Sequence, residues 1–169
     1  MPEITLSTCQ LDFCLPAKFN LSYIDRDGEK KTPVVLHRAI LGSLDRFMAY
    51  ILEETKGNLP TWLAPVQVKV LAMTDRTHEA AKQIADSLDK LGIRVETDLR
   101  NEKIGFKIRE AQMQRIPYML IIGDKEVENN VVAVRSRKGG DLGTMPLAAF
   151  EEKLMEEVKT RSISECVTK

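Results

Sequence analysis

The sequence has no net charge and few aromatic residues, and both shortages limit its possible functions. Its 25 basic side chains are balanced by 25 acidic ones, and Phe, Trp and Tyr together make up 5% of the 169 residues. A protein with this balance has no overall positive field to attract nucleic acid, so any nucleic-acid site must be a local patch. A binding surface made of stacked aromatic rings is not expected either.

Cysteines and long apolar runs are scarce as well. The three cysteines, Cys9, Cys14 and Cys166, are odd in number and include no C-x-x-C pair, which argues against a disulfide framework or a zinc knuckle. No apolar run approaches the ~18 residues that span a bilayer. The first fifteen residues contain acids but no arginine, unlike a targeting peptide. The sequence therefore predicts a cytoplasmic protein with reduced thiols.

The length and the hydrophobic content are sufficient for one domain with a short flanking piece. Hydrophobic residues make up 43% and charged residues 30% of the chain, which is typical of a soluble globular protein. In the first part, the polar segment Asp25–Lys31 predicts a turn around Gly28 between two antiparallel strands. A strand over 32–38 and a helix over 42–54 follow, and the segment 56–61 then marks a boundary.

Beyond this boundary, strands and helices alternate. Strands are predicted over 66–73, 93–97, 118–122 and 131–137, and helices over 79–91, 101–116 and from Pro146 onward. The segment Tyr118–Ile122 is apolar throughout, which is typical of a buried central strand in a parallel sheet. This order predicts an α/β fold, in which a mainly parallel mixed sheet with right-handed crossovers is flanked by helices.

Three strings of residues are specific enough to indicate a family. They are TCQLDF at residues 8–13, PVVLHRAILGSLDRF at residues 33–47, and the long segment from Thr97 to Arg137. Together they resemble the threonyl-tRNA synthetases, a class II aminoacyl-tRNA synthetase family, and the resemblance runs from about Thr8 to Arg161. It implies that residues 1–58 are the end of the antiparallel catalytic domain, a strand-strand-helix remnant with motif 3. Residues 62–169 would then be the anticodon-binding domain.

Four residues of the first part match the active site of that family. Arg46 corresponds to the motif 3 arginine that lies over the adenine of ATP, and Thr8 and Gln10 border the nucleotide and the threonine. His37 matches one of three zinc ligands, and the other two ligands are absent from this sequence, as are motifs 1 and 2. Residue types alone indicate instead an exposed helix arginine and a hydrogen-bonded strand histidine.

Cys9 and Cys14 are the nearest candidates to replace the missing zinc ligands. Both fall within the strand candidate CQLDFCLP, residues 9–16. Because they are five residues apart on that strand, their side chains would face opposite sides of it. We therefore expect that ATP and zinc belong to the full-length family enzyme and that neither is bound by this chain alone.

In the second part, the resemblance implies an RNA site. The positions that match the family's anticodon contacts are Asn101, Arg109, Glu126 and Arg135. An amide, a carboxylate and two guanidinium groups in one hollow would suit unpaired bases, which are recognised through their exposed edges. A basic rim for the RNA backbone could be added by Lys103, Lys107, Arg137 and Lys138. Charge runs usually face water, so a solvated helix face is the alternative, although Gly105 inside the helix favours close approach of another backbone.

The resemblance predicts tRNA anticodon recognition by the C-terminal portion of an enzyme that joins threonine to its tRNA with ATP. Alone, the chain should bind tRNA without catalysing the reaction. The full-length family enzyme is a homodimer, whereas this chain is expected to be a monomer or to associate weakly. A free-standing RNA-binding accessory module is an alternative. A doubly wound small-molecule domain is a weaker one, because only Thr74 and Asp75 follow its first strand and no glycine-rich loop is present.

Overall fold

The computed structural model describes residue 5 and residues 7–163, so Cys166 lies outside the described residues. The chain divides between Glu53 and Glu54 into two compact units. The predicted domain limits, 1–58 and 62–169, stay a prediction. In the described part of the chain, every helix is too short or too polar to cross a bilayer.

Unit 1, which ends at Glu53, contains two small antiparallel strand pairs, one short helix and all but the last residue of a second helix. Its elements are β1 (Thr8–Asp12), α1 (Cys14–Lys18), β2 (Tyr23–Ile24), β3 (Lys30–Lys31), β4 (Val35–Ala39) and α2 (Leu44–Glu54). Strand β1 pairs with β4, which sets Gln10 opposite His37, and β2 pairs with β3. Gly28 has a φ of 78° in the turn between β2 and β3, so the predicted turn between two antiparallel strands is confirmed. Its second strand is Lys30–Lys31, and the strand predicted over 32–38 corresponds to β4, which pairs with β1.

Strand β1 is shorter than the strand candidate at residues 9–16. The Asp12 carboxylate ends it, because Oδ1 accepts hydrogen bonds from the backbone N–H groups of Cys14 at 2.8 Å and Leu15 at 2.9 Å. A side-chain oxygen in this position starts a helix, and α1 follows. The prediction that Cys9 and Cys14 share one strand is therefore wrong.

Unit 1 leaves its apolar side chains largely exposed. The predicted amphipathic helix is present as α2, but none of its residues is buried. Leu36 on β4 is 64% exposed and Ile40 is 69% exposed. All the residues that form the two hydrophobic core clusters belong to unit 2, so the stability of the described chain comes mainly from that unit.

Unit 2 is an α/β unit with a five-stranded mixed sheet. Its elements are β5 (Val68–Ala72), α3 (His78–Lys90), β6 (Val95–Asp98), α4 (Ile104–Met113), β7 (Tyr118–Ile122), α5 (Asp124–Glu128), β8 (Val131–Ser136), β9 (Gly140–Pro146) and α6 (Leu147–Thr160). The strand order is β6-β5-β7-β8-β9. Strand β5 is parallel to β6 and to β7, whereas β7–β8 and β8–β9 are antiparallel pairs. The predicted α/β mixed sheet flanked by helices is confirmed.

The two faces of this sheet bury different cores. On one face, Val70, Leu120 and Val134 belong to a core that also contains residues of α3 and α6. On the other face, Leu71 and Met119 pack in a smaller core with α4. Successive residues of a strand point to opposite faces, so the fully apolar sequence of β7 is explained by burial on both sides.

Helix α4 is shorter than the predicted helix over 101–116. It begins at Ile104 and ends at Met113, so Asn101 lies in the loop before it. Gly105 is the second helical residue, where a glycine costs less than in a helix interior. A Cβ atom on Gly105 would meet no other protein atom within 4 Å, so packing within the described residues does not require a glycine here.

Helix α5 and strand β9 were not predicted. Gly140 and Gly143 in β9 both have positive φ values, and glycine weakens the sequence signal of a strand. A register shift between Ala133 and Arg135 accompanies the β8–β9 pairing. Irregular pairing of this kind accommodates the glycine-rich segment at the edge of the sheet.

Truncation of two leucines in and beside α3 tests the larger core. Leu88 is fully buried and Leu91 is 43% exposed. Leu88→Ala is expected to lower the free energy of unfolding by roughly 2–5 kcal/mol, because it leaves a cavity. Leu91→Ala, the matched control, is expected to lower it by less than about 1 kcal/mol. Urea unfolding of both variants measures the difference, and equal losses would contradict this description of the core.

Candidate nucleic-acid interface

The carboxyl ends of the parallel strands β5, β6 and β7 meet at one edge of the sheet. The segments that follow them are a short 3₁₀ turn at Asp75–Thr77, the loop 99–103 and helix α5. In α/β sheets, ligands bind beyond the carboxyl ends of the strands. Two of the four predicted anticodon-contact residues, Asn101 and Glu126, lie in these segments.

A buried carboxylate fixes the loop after β6. Asp98 is 4% exposed, and its Oδ1 accepts from the backbone N–H of Arg100 at 3.1 Å and from Arg100 Nε at 3.0 Å. Arg100 Nη2 also donates to Asp98 Oδ2 at 2.6 Å and to the Glu110 carboxylate on α4. The hydrogen bonds from the Arg100 side chain lower the pKa of Asp98, outweighing the effect of burial, which raises it.

Lys107 lies beneath α4 and not on its surface. Its side chain is 1% exposed, and Nζ donates to the carbonyl oxygens of Ala72 at 2.8 Å and Asp98 at 3.2 Å. The expectation that Lys107 belongs to a basic rim for the RNA backbone is therefore wrong. Arg137 is also committed to the protein, because it donates to the carbonyl oxygens of Arg115 at 2.7 Å and Leu59 at 3.0 Å.

Asn101 and Arg109 are both exposed, one in the loop before α4 and one on its outer face. Among the hydrogen bonds and ion pairs of the described residues, none involves either side chain. Arg109 is four residues after Gly105, so both lie on the same side of the helix. An amide in the loop before α4 and a guanidinium group midway along the helix are thus available for a ligand.

Arg135 lies on β8, directly opposite Met119 of β7. Because paired residues share a face of the sheet, its side chain is on the face that α4 covers. The guanidinium Nε is buried and has no hydrogen-bond acceptor within the described residues. A buried donor without an acceptor is uncommon in folded proteins, and a bound ligand is one explanation for it.

The two carboxylate oxygens of Glu126 on α5 differ in their contacts. Oε2 accepts from the backbone N–H of Gly123 at 3.0 Å and caps the helix, whereas no described hydrogen bond uses Oε1. The half-buried side chain also lines a cleft of about 260 Å³ with residues of α3 and β8. Ile122 and Val132 also line this cleft, and both belong to the larger core, on the α3 and α6 face of the sheet.

The structure therefore brings the four predicted anticodon residues to one unit but not into mutual contact. No hydrogen bond or ion pair between residues 7 and 163 joins two of them. Arg109 on α4 and Arg135 lie on one side of the sheet, and Asn101 lies in the loop before α4. Glu126 lines a cleft on the opposite side, at the carboxyl end of β7.

Sequence reasoning missed Phe106. Its side chain is 51% exposed on α4, three residues before Arg109. Of the four aromatic residues between 54 and 163, Trp62 is half-buried and Tyr118 and Phe150 are buried. The sequence signal that could have identified Phe106 is its position between Ile104 and Ile108. If these two isoleucines are on the buried side of a helix, Phe106 is not on that side.

In unit 1, the predicted active-site residues lie on β1, β4 and α2. Thr8 pairs with Ala39 and Gln10 with His37 across the β1–β4 ladder, and Arg46 is exposed in the first turn of α2. His37 Nε2 is 2.9 Å from Asp12 Oδ2. The backbone N–H of Leu15, followed by the His37 side chain, lowers the pKa of Asp12.

In the described part of the chain, His37 is not joined by further ligands into a zinc site. In residue 5 and residues 7–163, no group of three or more His, Cys, Asp or Glu side chains could hold a metal ion. One ring nitrogen of His37 is engaged with Asp12, and Cys9 and Cys14 are exposed thiols on different elements. A zinc site with about three protein ligands would need donors from outside this set.

Comparisons with known proteins identify the family. Residues 66–157, which include every strand and helix from β5 to β9, match the family described as "Anticodon binding domain". The chain belongs to the anticodon binding domain family. Residues 2–55 match the "tRNA synthetase class II core domain (G, H, P, S and T)".

Individual relatives agree with this assignment. The chain is 56% identical over 155 residues to a threonine–tRNA ligase of Clostridium botulinum (strain Loch Maree / Type A3), covering 92% of the chain and 24% of the ligase. It is 53% identical to that of Acetivibrio thermocellus, with 91% and 24% covered. The chain thus spans about a quarter of the length of these relatives.

A solved structure extends the similarity to the fold. The RNA binding domain of threonyl-tRNA synthetase from Cryptosporidium parvum Iowa II superimposes with a TM-score of 0.76 at 40% identity. The match covers 89% of this chain and 38% of that one. The resemblance to threonyl-tRNA synthetases is confirmed.

The lowered pKa of Asp98 gives a pH dependence to the stability of unit 2. Its ionised form is favoured in the folded state, so the stabilisation is complete above the ordinary value of 3.8 and is lost as the pH falls through the lower folded value. The difference in unfolding free energy between wild type and Asp98→Asn should therefore be constant near neutral pH and shrink below about pH 4.

Urea unfolding at a series of pH values measures this difference. Asp89→Asn supplies the baseline, because Asp89 is exposed on α3 and its carboxylate takes part in none of the described hydrogen bonds. A wild-type minus Asp98→Asn difference that is independent of pH would contradict the role of the Asp98 charge.

Proposed function

We propose that this chain binds the anticodon loop of a threonine tRNA, as a portion of a threonine–tRNA ligase. The supporting observation is that residues 66–157 match an anticodon binding domain. Within that match, the amide of Asn101 and the guanidinium of Arg109 are exposed and have no described protein partner. Polar groups of these types recognise unpaired bases by hydrogen bonds to their edges.

Arg135 and Glu126 extend the proposed surface. A buried donor without an acceptor costs about 1–3 kcal/mol, so a base or phosphate oxygen near the Arg135 Nε would remove that cost. Glu126 Oε1 can accept hydrogen bonds from the pairing edge of a guanine, while Oε2 continues to cap α5.

Phe106 adds an apolar face to the proposed site. Unpaired bases stack on aromatic rings, and stacking contributes about 1–3 kcal/mol per base. The exposed ring stands one helical turn from Arg109. A single ring at the correct place is compatible with the low aromatic content of the chain.

In the complete protein, we propose that unit 1 contributes to the synthetase active site. Arg46, Thr8 and Gln10 would contact ATP, and His37 would supply one zinc ligand to a site completed by residues absent from this sequence. The domain limits 1–58 and 62–169, a cytoplasmic location and a homodimeric full-length enzyme belong to the same proposal. A free-standing accessory module is not favoured, because residues 2–55 also match the class II core domain.

Binding of an anticodon stem-loop tests the function. The full chain is expected to bind a threonine-tRNA stem-loop more tightly than one with an unrelated anticodon. Arg109→Ala should weaken binding roughly 10- to 100-fold, because a charge-assisted hydrogen bond contributes about 1.5–3 kcal/mol. Glu126→Gln belongs in the same series, since glutamine keeps an oxygen for the cap on α5 and changes the group offered to a base.

Lys153→Ala is the matched control for Arg109→Ala. Lys153 is exposed on α6, which packs on the other face of the sheet. Fluorescence anisotropy with a labelled stem-loop measures the affinities. Equal affinity for both stem-loops, or equal loss in the two variants, would argue against anticodon recognition at this surface.

Phe106→Ala tests the stacking contact. We expect binding of the stem-loop to weaken roughly 5- to 150-fold, with recovery in Phe106→Tyr, because the tyrosine ring can also stack. Met113→Ala is the control, since Met113 is 74% exposed on the same side of α4. Equal small effects of Phe106→Ala and Met113→Ala would exclude a stacked base on this ring.

A further inference from the structure

We propose that Lys107 is a positioning residue that holds the RNA-binding segment in place without contacting RNA. The inference rests on the proposed function, because it concerns how the same surface is built. Sequence alone suggested a backbone-binding lysine, whereas the geometry points to a buried tie between α4 and the sheet.

The ammonium group of Lys107 joins three elements. Its hydrogen-bond acceptors, the carbonyl oxygens of Ala72 and Asp98, belong to the last residues of β5 and β6. These two strands are adjacent and parallel. One side chain of α4 therefore fixes the helix against both strand ends, at the edge where ligands of α/β sheets bind.

The charge on Lys107 is balanced by Asp98. Nζ lies 3.8 Å from Asp98 Oδ1, and both side chains are almost completely buried. Asp98 also binds Arg100, and Arg100 binds Glu110 on α4. The network thus links Lys107 to Glu110 on the same helix through Asp98 and Arg100. These contacts hold the loop 99–103 between the end of β6 and α4.

The residues proposed to contact RNA lie in the loop 99–103 or in the adjacent part of α4. Asn101 is in the loop, Phe106 precedes Lys107, and Arg109 follows it by two positions. All three side chains are exposed, so their own packing does little to fix them. Their placement depends on where the loop and the first turns of α4 are held.

An apolar side chain could fill the same space, but it would not fix the same arrangement. Replacing a buried ion pair by hydrophobic residues is often neutral or stabilising, so stability alone does not require one. Hydrogen bonds to two particular carbonyl groups fix both the position and the rotation of a helix. We infer that Lys107 contributes geometry for RNA binding.

The salt dependence of RNA binding separates positioning from direct contact. A lysine that contacts a phosphate contributes about one to the slope of log affinity against log salt concentration. Lys107→Met is expected to weaken binding of the threonine-tRNA anticodon stem-loop about tenfold or more and to leave this slope unchanged. Lys103→Met removes an exposed lysine at the start of the same helix and serves as the comparison.

Other outcomes overturn the inference. A slope reduced by about one in Lys107→Met would mean that Lys107 contacts a phosphate. Unchanged affinity with a lower melting temperature would mean that its role is stability alone. If the wild-type chain fails to bind the stem-loop, the proposed function itself fails, and this result is distinct from equal binding by wild type and variant.

Hydrogen exchange supplies a second measurement on the free protein. In Lys107→Met, the amides of residues 99–106 should exchange faster, while those of β7 stay protected. Uniform acceleration over all strands would contradict a local positioning role. Should Lys107→Met not fold, Asp98→Asn tests the same tie, because it removes the balancing charge and keeps an oxygen for Arg100. It should also weaken RNA binding at an unchanged salt slope, and unaltered binding by this variant would overturn the inference.

Discussion

One buried ammonium group links helix α4 to the sheet by hydrogen bonds to the ends of two parallel strands. Lys107 connects α4 to β5 and β6, and Asp98 connects the same strand end to the loop before α4. A buried charge is tolerated only when it is paired and hydrogen-bonded, and both of these buried groups have such partners. One network of contacts therefore joins the loop, the helix and the sheet edge.

The bounds of the secondary structure were predicted best from the sequence where burial determines them. Strand β7 matches its prediction to the residue, because a short apolar segment is typical of a strand that is buried on both faces. Helix α4 begins later than predicted because the Asp98–Arg100 contacts, and not its apolar period, set the loop before it. Strand β1 likewise ends earlier than predicted, because the Asp12 carboxylate accepts a hydrogen bond from the backbone of Cys14. The spacing of apolar residues does not indicate this end.

The candidate site was less predictable than the fold. Lys107 was expected on the surface because lysine is rarely buried, and only the tertiary structure reveals the carbonyl groups that it binds. Phe106 was overlooked because a low aromatic content describes the whole chain and not one helix face. By contrast, the resemblance in the segment 97–137 located the family, since it depends on many residues at once.

The carboxylate of Glu126, which caps α5, has a consequence for the free energy of ligand binding. A glutamate that is free in solution loses about 1.5–2 kcal/mol of side-chain entropy when it becomes fixed. In this protein, the hydrogen bond from Gly123 has already restricted the side chain before any partner arrives. In the proposed RNA-binding role, a base that approached Oε1 would meet a preorganised acceptor, and its affinity would not be reduced by ordering that group.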